Sequence, residues 1–470
     1  MIVRPARKRK DTIRPAVLVD AGRAASLDDG TIHDLARLPK TLRAFCLWDD
    51  AYTLARAGEG ELLAWGDEPI RYRHRRHGDS HRRSADVVIV KLHCDDRRTL
   101  ENGLATWADW LDDHDARPGW SLGGSSMNLL RATLAGPLVT TNGELPPARW
   151  TLGGRQQAWV EPGTTVPGAI QLDLPAAYTH VVGRLRYGGA WRRTDDRIEL
   201  AQLDRFHRAG YPILARARGI LPDGLHVGPL ARRPARRPDG RVEELAPTVP
   251  YPVSGRFQGL WTWDELSQAV AAGAQIRILE AWVHAGADYP FMAWHDAIMA
   301  GRALGGFAGQ LAKATGNALW GQFVIDGRKR LCVQRWNGGR YTSTPVQGSH
   351  GHQKRAWDIG ELVCGQVRAK LYRALNLCAD GLVCCHTDGL WVRDSYRAEV
   401  ARVVLEEEGW RIKSEASRLD LIDQQKYRYR LRRHRSDRVV CSGVPAARSE
   451  AVFAELWERY SSGESGSRIP

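Results

Sequence analysis

The sequence predicts an α+β fold, and three observations carry that expectation. Val/Ile-rich runs read as strands: Asp86 to His93 (DVVIVKLH), a short strand AIQLD ending at Asp173, and a hairpin from Leu382 to Val392. Other stretches repeat apolar residues every three or four positions, the signature of helices with one buried face. Two segments rich in Arg, Gly and Pro or in polar residues, at about 184–252 and 326–354, break the pattern and read as loop-rich inserts.

The elements follow in chain order. Thr99 to Leu111 is predicted helical, with Leu100, Leu104, Trp107 and Leu111 on one face. Thr262 followed three residues later by Glu265 makes a capping box for the helix WDELSQAVAAG. Pro290 opens a helical stretch that reaches Phe323, with a break at Gly305 and Gly306. A helix from Ala356 to Leu375 then leads into the hairpin, and the polar end SSGESGSRIP reads as frayed.

A chain of 470 residues has room for two or three domains and a large buried core. Its 43% hydrophobic and 26% charged residues fit a globular protein. No uninterrupted apolar stretch reaches the roughly 18–20 residues of a membrane span. The basic start, Arg4 to Lys10, has no apolar core behind it, so no secretory signal and a cytoplasmic location are expected. Eight cysteines form no CxxC pair, which argues against a zinc knuckle or a disulfide scaffold.

The net charge of +14 is concentrated in runs: Arg4 to Lys10, Arg71 to Arg83, Arg232 to Arg241 and Lys426 to Arg435. A polyanionic partner such as nucleic acid is one reading, and a solvated Arg-rich surface is the other.

Three segments bear on chemistry. In QLDLPAAYTHVV (171–182), Asp173 ends a strand and Tyr178 follows five residues later. In KATGNALWG (313–321), Lys313, Asn317 and Gly321 recur every four residues and project from one helix face. In LVCCHTDGLWV (382–392), a tight turn puts Asp388 at a hairpin tip. Each alone is a weak signal, since strand-end Asp, exposed Lys and turn Asp are common.

In this order the segments resemble motifs A, B and C of family B DNA polymerases, which read DxxSLYP, KxxxNxxYG and DTDS. The spacing is similar to the protein-primed branch of phages and linear plasmids, whose two terminal-protein-region inserts fall where the inserts lie here. LGGR at 152–155 resembles the YxGG(R) element, GLWTWDELSQAVAAGAQI resembles the lead into the fingers, and QKYRYR with CSGVP resembles the KxY region. The matches cover about 150–446.

The resemblance implies a right-hand polymerase with an antiparallel palm sheet, helical fingers and a small thumb, behind a shortened exonuclease-like α/β domain. The implied boundaries are 1–150 for that domain, 151–261 and 326–425 for the palm, 262–325 for the fingers and 426–470 for the thumb. It implies a nucleotidyltransferase that adds deoxynucleotides to a primer 3′-hydroxyl. Asp173 and Asp388, with the Leu174 backbone carbonyl, would hold two Mg²⁺, with Mn²⁺ as the alternative. Lys313, Asn317 and Arg302 would face the incoming nucleotide, and Tyr178 would be the steric gate against ribonucleotides. Lys426, Tyr427, Gly153, Gly154 and Arg155 would contact primer and DNA.

Implied partners are primer-template DNA, deoxynucleoside triphosphates, and a terminal protein or other replication protein, with no membrane. The implied setting is phage or mobile-element replication in a bacterial cytoplasm. No convincing DxE motif precedes Asp173, so proofreading is not expected; Asp49, Asp50, His93 and Asp95 are the nearest candidates. Two departures stand out: His386 replaces the first Asp of DTD, and Trp320 the Tyr of YG. A catalytically weak DNA-binding factor, and a primase or terminal transferase on the same palm, are the alternatives.

Overall fold

The computed structural model describes residues 2–6, 13–20, 23–35, 38–39, 42–57, 60–65, 68–74, 86–90, 92, 94, 96–119, 121–140, 142–145, 153–194, 198–232, 250–286, 288–324, 330–337, 340–350, 356–394, 408–432, 436–441 and 446–461. The chain divides into two compact units. One holds 1–142, 182–188 and 287–360, and the other holds 143–181, 189–286 and 361–470.

The first unit is built on a nine-stranded mixed sheet. Its strands Arg14–Asp20, Leu42–Leu47 and Asp86–Val90 run parallel, and the rest pair antiparallel. Helix Arg97–Asp112 is capped by Asp96, whose carboxylate accepts the Thr99 N–H at 2.8 Å. Leu100, Leu104, Trp107 and Leu111 are all buried, as their spacing requires. The predicted break at Gly305 and Gly306 separates helices Met292–Ala303 and Gly306–Val324, with φ of +69° and +51° at the two glycines. Close packing ties these helices together: a Cβ on Gly103 would lie 2.7 Å from the Phe307 ring, and Trp107 Nε1 donates to Thr315 Oγ1.

Strands Arg330–Asn337 and Arg340–His350 form a hairpin that joins this same sheet, pairing with Gly60–Trp65. The segment read as a loop-rich insert within the palm is therefore sheet of the N-terminal unit. Asp50 is exposed on helix Trp48–Arg56. The Asp49 side chain, His93, Asp95, most of the Arg71–Arg83 run and the segment SGVP lie outside the described residues.

The second unit contains two antiparallel sheets. The larger has seven strands in the order Arg155–Ala158, Leu382–Thr387, Gly389–Arg393, Thr164–Asp173, Arg411–Asp423, Lys426–Leu431, Asp437–Cys441. Val166, Ala169, Val383, Trp391, Leu419 and Tyr429 form its core. The stretch after Lys426 extends the sheet, and among the described residues helix Ala446–Ser461 follows it.

The smaller sheet has four strands: Trp191–Arg193, Gln275–His284, Ile213–Leu221 and Gly255–Thr262. Helix Trp263–Ala271 sits between two of them and carries the predicted capping box, Thr262 with Glu265. This corrects one expectation. The described part of the insert after Asp173 supplies two strands and a helix where a loop-rich module was expected, and residues 262–286 add a helix and a further strand of the same sheet. Hydrophobic spacing identified the helix but carried no information about its sheet partners.

Asp420 is buried in the larger sheet and accepts hydrogen bonds from Thr165, Arg418 and Arg428. Burial alone would push its carboxyl up, but these donors outweigh it and hold it below the usual range. A depressed carboxylate adds stability above the unfolded pKa of about 3.9 and loses it as pH falls through the lower folded value. Asp420→Asn should therefore be less stable than the native chain at pH 7. The gap should narrow below about pH 4, read by urea unfolding at both pH values.

Candidate active site

Asp173 ends the central strand of the seven-stranded sheet. Its strand pairs with Gly389–Arg393, and Asp173 lies opposite Gly389. Asp388 is the residue just before that glycine. The Leu174 N–H donates to the Asp388 carbonyl at 2.9 Å, which extends the ladder one step past Asp173. Two carboxylates remote in sequence thus stand at the same end of adjacent strands.

The turn that presents Asp388 is unusually tight. Thr387 has φ of +58°, a region that β-branched residues rarely occupy. The Asp388 N–H donates to the His386 carbonyl at 2.8 Å, and Thr387 Oγ1 donates to Asp388 Oδ1 at 2.7 Å. A Cβ on Gly389 would come 3.2 Å from the Leu172 carbonyl oxygen and 3.4 Å from Asp173 Oδ1, so glycine lets the two strands close up. Backbone strain of this kind persists where the surroundings over-determine it.

Burial pushes the Asp388 carboxyl up from its ordinary value, and Asp173 pushes it further; the Thr387 hydroxyl and Lys413 oppose this. Lys413 Nζ lies 3.0 Å from Asp173 Oδ1. Burial lowers the His386 imidazole although Asp388 and Asp423 pull it upward, which leaves the ring neutral near pH 7. Two interacting carboxylates, one of them desolvated, call for positive charge. Two carboxylates plus a carbonyl, completed by water and substrate phosphates, is a donor set that suits Mg²⁺. The Leu174 carbonyl accepts the Ala177 N–H at 3.2 Å and keeps a second lone pair. Among the described residues, no cluster of three or more His, Cys, Asp or Glu is arranged to hold a metal.

Tyr178 sits in helix Ala177–Gly183 and is 9% exposed. Its hydroxyl lies against Gly154: a Cβ on that glycine would fall 2.5 Å from the hydroxyl, and 3.0 Å from Thr387 Cα. Burial raises the phenol well above its usual value, so it stays protonated. The Gly153 carbonyl accepts Arg368 Nη1 at 3.0 Å. Arg368, from helix Trp357–Leu377, is itself clamped by Glu265 at 2.8 and 3.0 Å and by Glu361 at 2.7 Å, all three side chains being buried. The capping glutamate of one helix therefore also fixes the glycine pair that lies against Tyr178.

Two expected DNA contacts have other employment. Arg155 is 1% exposed; it donates to the Gly228 carbonyl and to Gln157, and stacks 4.0 Å over the Tyr251 ring. Tyr427 is buried among Trp391 and Tyr429, because strand alternation turns it away from the face of Lys426. Lys426 pairs with Asp423 at 3.1 Å.

Lys313 and Asn317 are exposed on helix Gly306–Val324, one turn apart as predicted, and Arg302 is half-buried in the last turn of Met292–Ala303. These three belong to the first unit. Sequence reasoning missed Arg368, Glu361 and Lys413. The first two had a signal, a Glu and an Arg seven residues apart and so on one face of the helix; Lys413 had none.

The arrangement of these sheets is similar to the fold of solved DNA polymerase structures. The solved structures it resembles include those of Phi29 DNA polymerase. The orthorhombic crystal form matches with a TM-score of 0.60 and 12% identity, over 92% of this chain and 90% of that one. The complex with primer-template DNA gives 0.58 over 92% and 91%, and the complex with single-stranded DNA gives 0.55 over 92% and 90%, both at 12% identity. No protein-family model and no curated protein matches the sequence. No helix among the described residues is long and apolar enough to cross a membrane.

Arg368→Met should leave Glu265 and Glu361 buried without their cation. The expected loss is about 3–5 kcal/mol of stability, measured by urea unfolding at pH 7.

Proposed function

We propose that the chain is a DNA-directed DNA polymerase that adds deoxynucleotides to a primer 3′-hydroxyl. The observation that carries this reading is the convergence of Asp173 and Asp388 in a chain with a polymerase fold. Asp173, Asp388 and the Leu174 carbonyl would hold two Mg²⁺, or Mn²⁺, which when bound supply charge to the attacking and leaving oxygens. The strained turn at Thr387 and the Leu174–Asp388 hydrogen bond hold the two carboxylates in fixed register, so little reorganisation is needed when substrate arrives.

Tyr178 is assigned the exclusion of ribonucleotides. Its hydroxyl lies close against Gly154, and a 2′-hydroxyl on an incoming sugar would meet the ring. Lys313 is assigned to the triphosphate as a point cation, with Asn317 and Arg302 beside it. Lys426 is assigned to the primer backbone. The partners are primer-template DNA and deoxynucleoside triphosphates, with a terminal protein or other replication protein at initiation. Phage or mobile-element replication is the proposed setting, and the reading includes no proofreading activity.

Extension of a primed template tests this directly. Asp173→Ala or Asp388→Ala should cut extension to below about one thousandth while DNA binding is retained. Extension that survives either change removes the assignment, and extension without template points to a terminal transferase instead. Tyr178→Val should raise ribonucleotide incorporation roughly 100-fold, read as the ratio of ribo- to deoxynucleotide kcat/KM.

A further inference from the structure

We propose that Lys413 is a displaceable resident cation of the carboxylate pair: its ammonium holds Asp173 until a divalent ion takes that place. The inference rests on the reading of Asp173 and Asp388 as metal ligands.

The contact is built into the sheet. Strand Arg411–Asp423 flanks the Asp173 strand on the side opposite the hairpin. Gln171 pairs with Ser414, and Leu172 pairs with Ile412, so Lys413 is the extra residue at an interruption of the ladder. A bulge of this kind re-aims the side chain it carries. Here it directs Nζ to within 3.0 Å of Asp173 Oδ1.

The same contact is easily broken. The Lys413 side chain is 50% exposed and Asp173 27%. Solvated ion pairs of this type hold weakly, and a four-carbon stem can swing its ammonium into water. Lys426 is occupied by Asp423 and leaves Lys413 as the cation in contact with Asp173 among the described residues. Two carboxylates and one ammonium leave the group one net negative charge. A free divalent ion therefore meets a partly neutralised site, whereas an ion arriving on a triphosphate brings its own negative charge. Lys413 would thus favour loading of the metal together with the nucleotide.

The test is Mn²⁺ binding to the nucleotide-free full chain, followed by loss of the free-ion electron paramagnetic resonance signal. Lys413→Met should bind Mn²⁺ roughly tenfold more tightly than the native chain, while Lys413→Arg stays within about twofold of it. Adding Asp173→Asn to Lys413→Met should abolish the gain. Binding by Lys413→Met that is unchanged or weaker overturns the role of Lys413 and leaves the metal site standing. Mn²⁺ binding that is indifferent to Asp173→Asn and Asp388→Asn overturns the metal site and this inference with it. Should Lys413→Met melt before titration, Lys413→Gln replaces it, with the Mn²⁺-induced rise in melting temperature as the readout; a rise no larger than the native one overturns the proposal.

Discussion

The hydrogen-bonded register between the Asp173 strand and the 382–393 hairpin is the constraint on which the site depends. Side chains alternate along a strand, so a slip of one residue would turn Asp173 to the opposite face. Three features hold the register. Gly389 allows the close approach, the Leu174 N–H reaches the Asp388 carbonyl, and strand Arg411–Asp423 pairs along the other side of the Asp173 strand. Each is a backbone contact, so the placement of the carboxylates does not rely on the flexible side chains themselves.

A second layer works through charge. Arg368 is a buried cation shared by Glu265 and Glu361, and buried ions of this kind fix geometry more than they add stability. Its reach is notable in chemical terms: one guanidinium joins a helix cap, a neighbouring helix and the Gly153 carbonyl. Through Gly154 that carbonyl is next in the chain to the surface against which the Tyr178 hydroxyl rests.

Local features of the fold were legible in the sequence because they follow from nearest-neighbour physics. The helix face of Leu100, Leu104, Trp107 and Leu111, the Thr262 cap and the glycine break at 305–306 needed only spacing and backbone freedom. Sheet partnership was not legible, because a strand does not encode which remote strand completes its ladder. The strand pairings within 330–350, in the four-stranded sheet and after Lys426 went unread for that reason. Asp173, Asp388 and Tyr178 were singled out through ordered motifs, and the structure sets the two aspartates at the same end of adjacent strands. Arg155 and Tyr427 are buried, which the sequence did not reveal, since a polar residue name does not say which way a strand turns it.

The hairpin at 330–350 bears on how the chain is made. Strand Gly60–Trp65 reaches its neighbour Arg330–Asn337 only after more than half of the protein has left the ribosome. Until then its outer edge of unpaired amides and carbonyls is open to other chains. Slow translation or crowding at that stage would favour aggregation, and a chaperone that shields a bare sheet edge would raise the yield of folded protein.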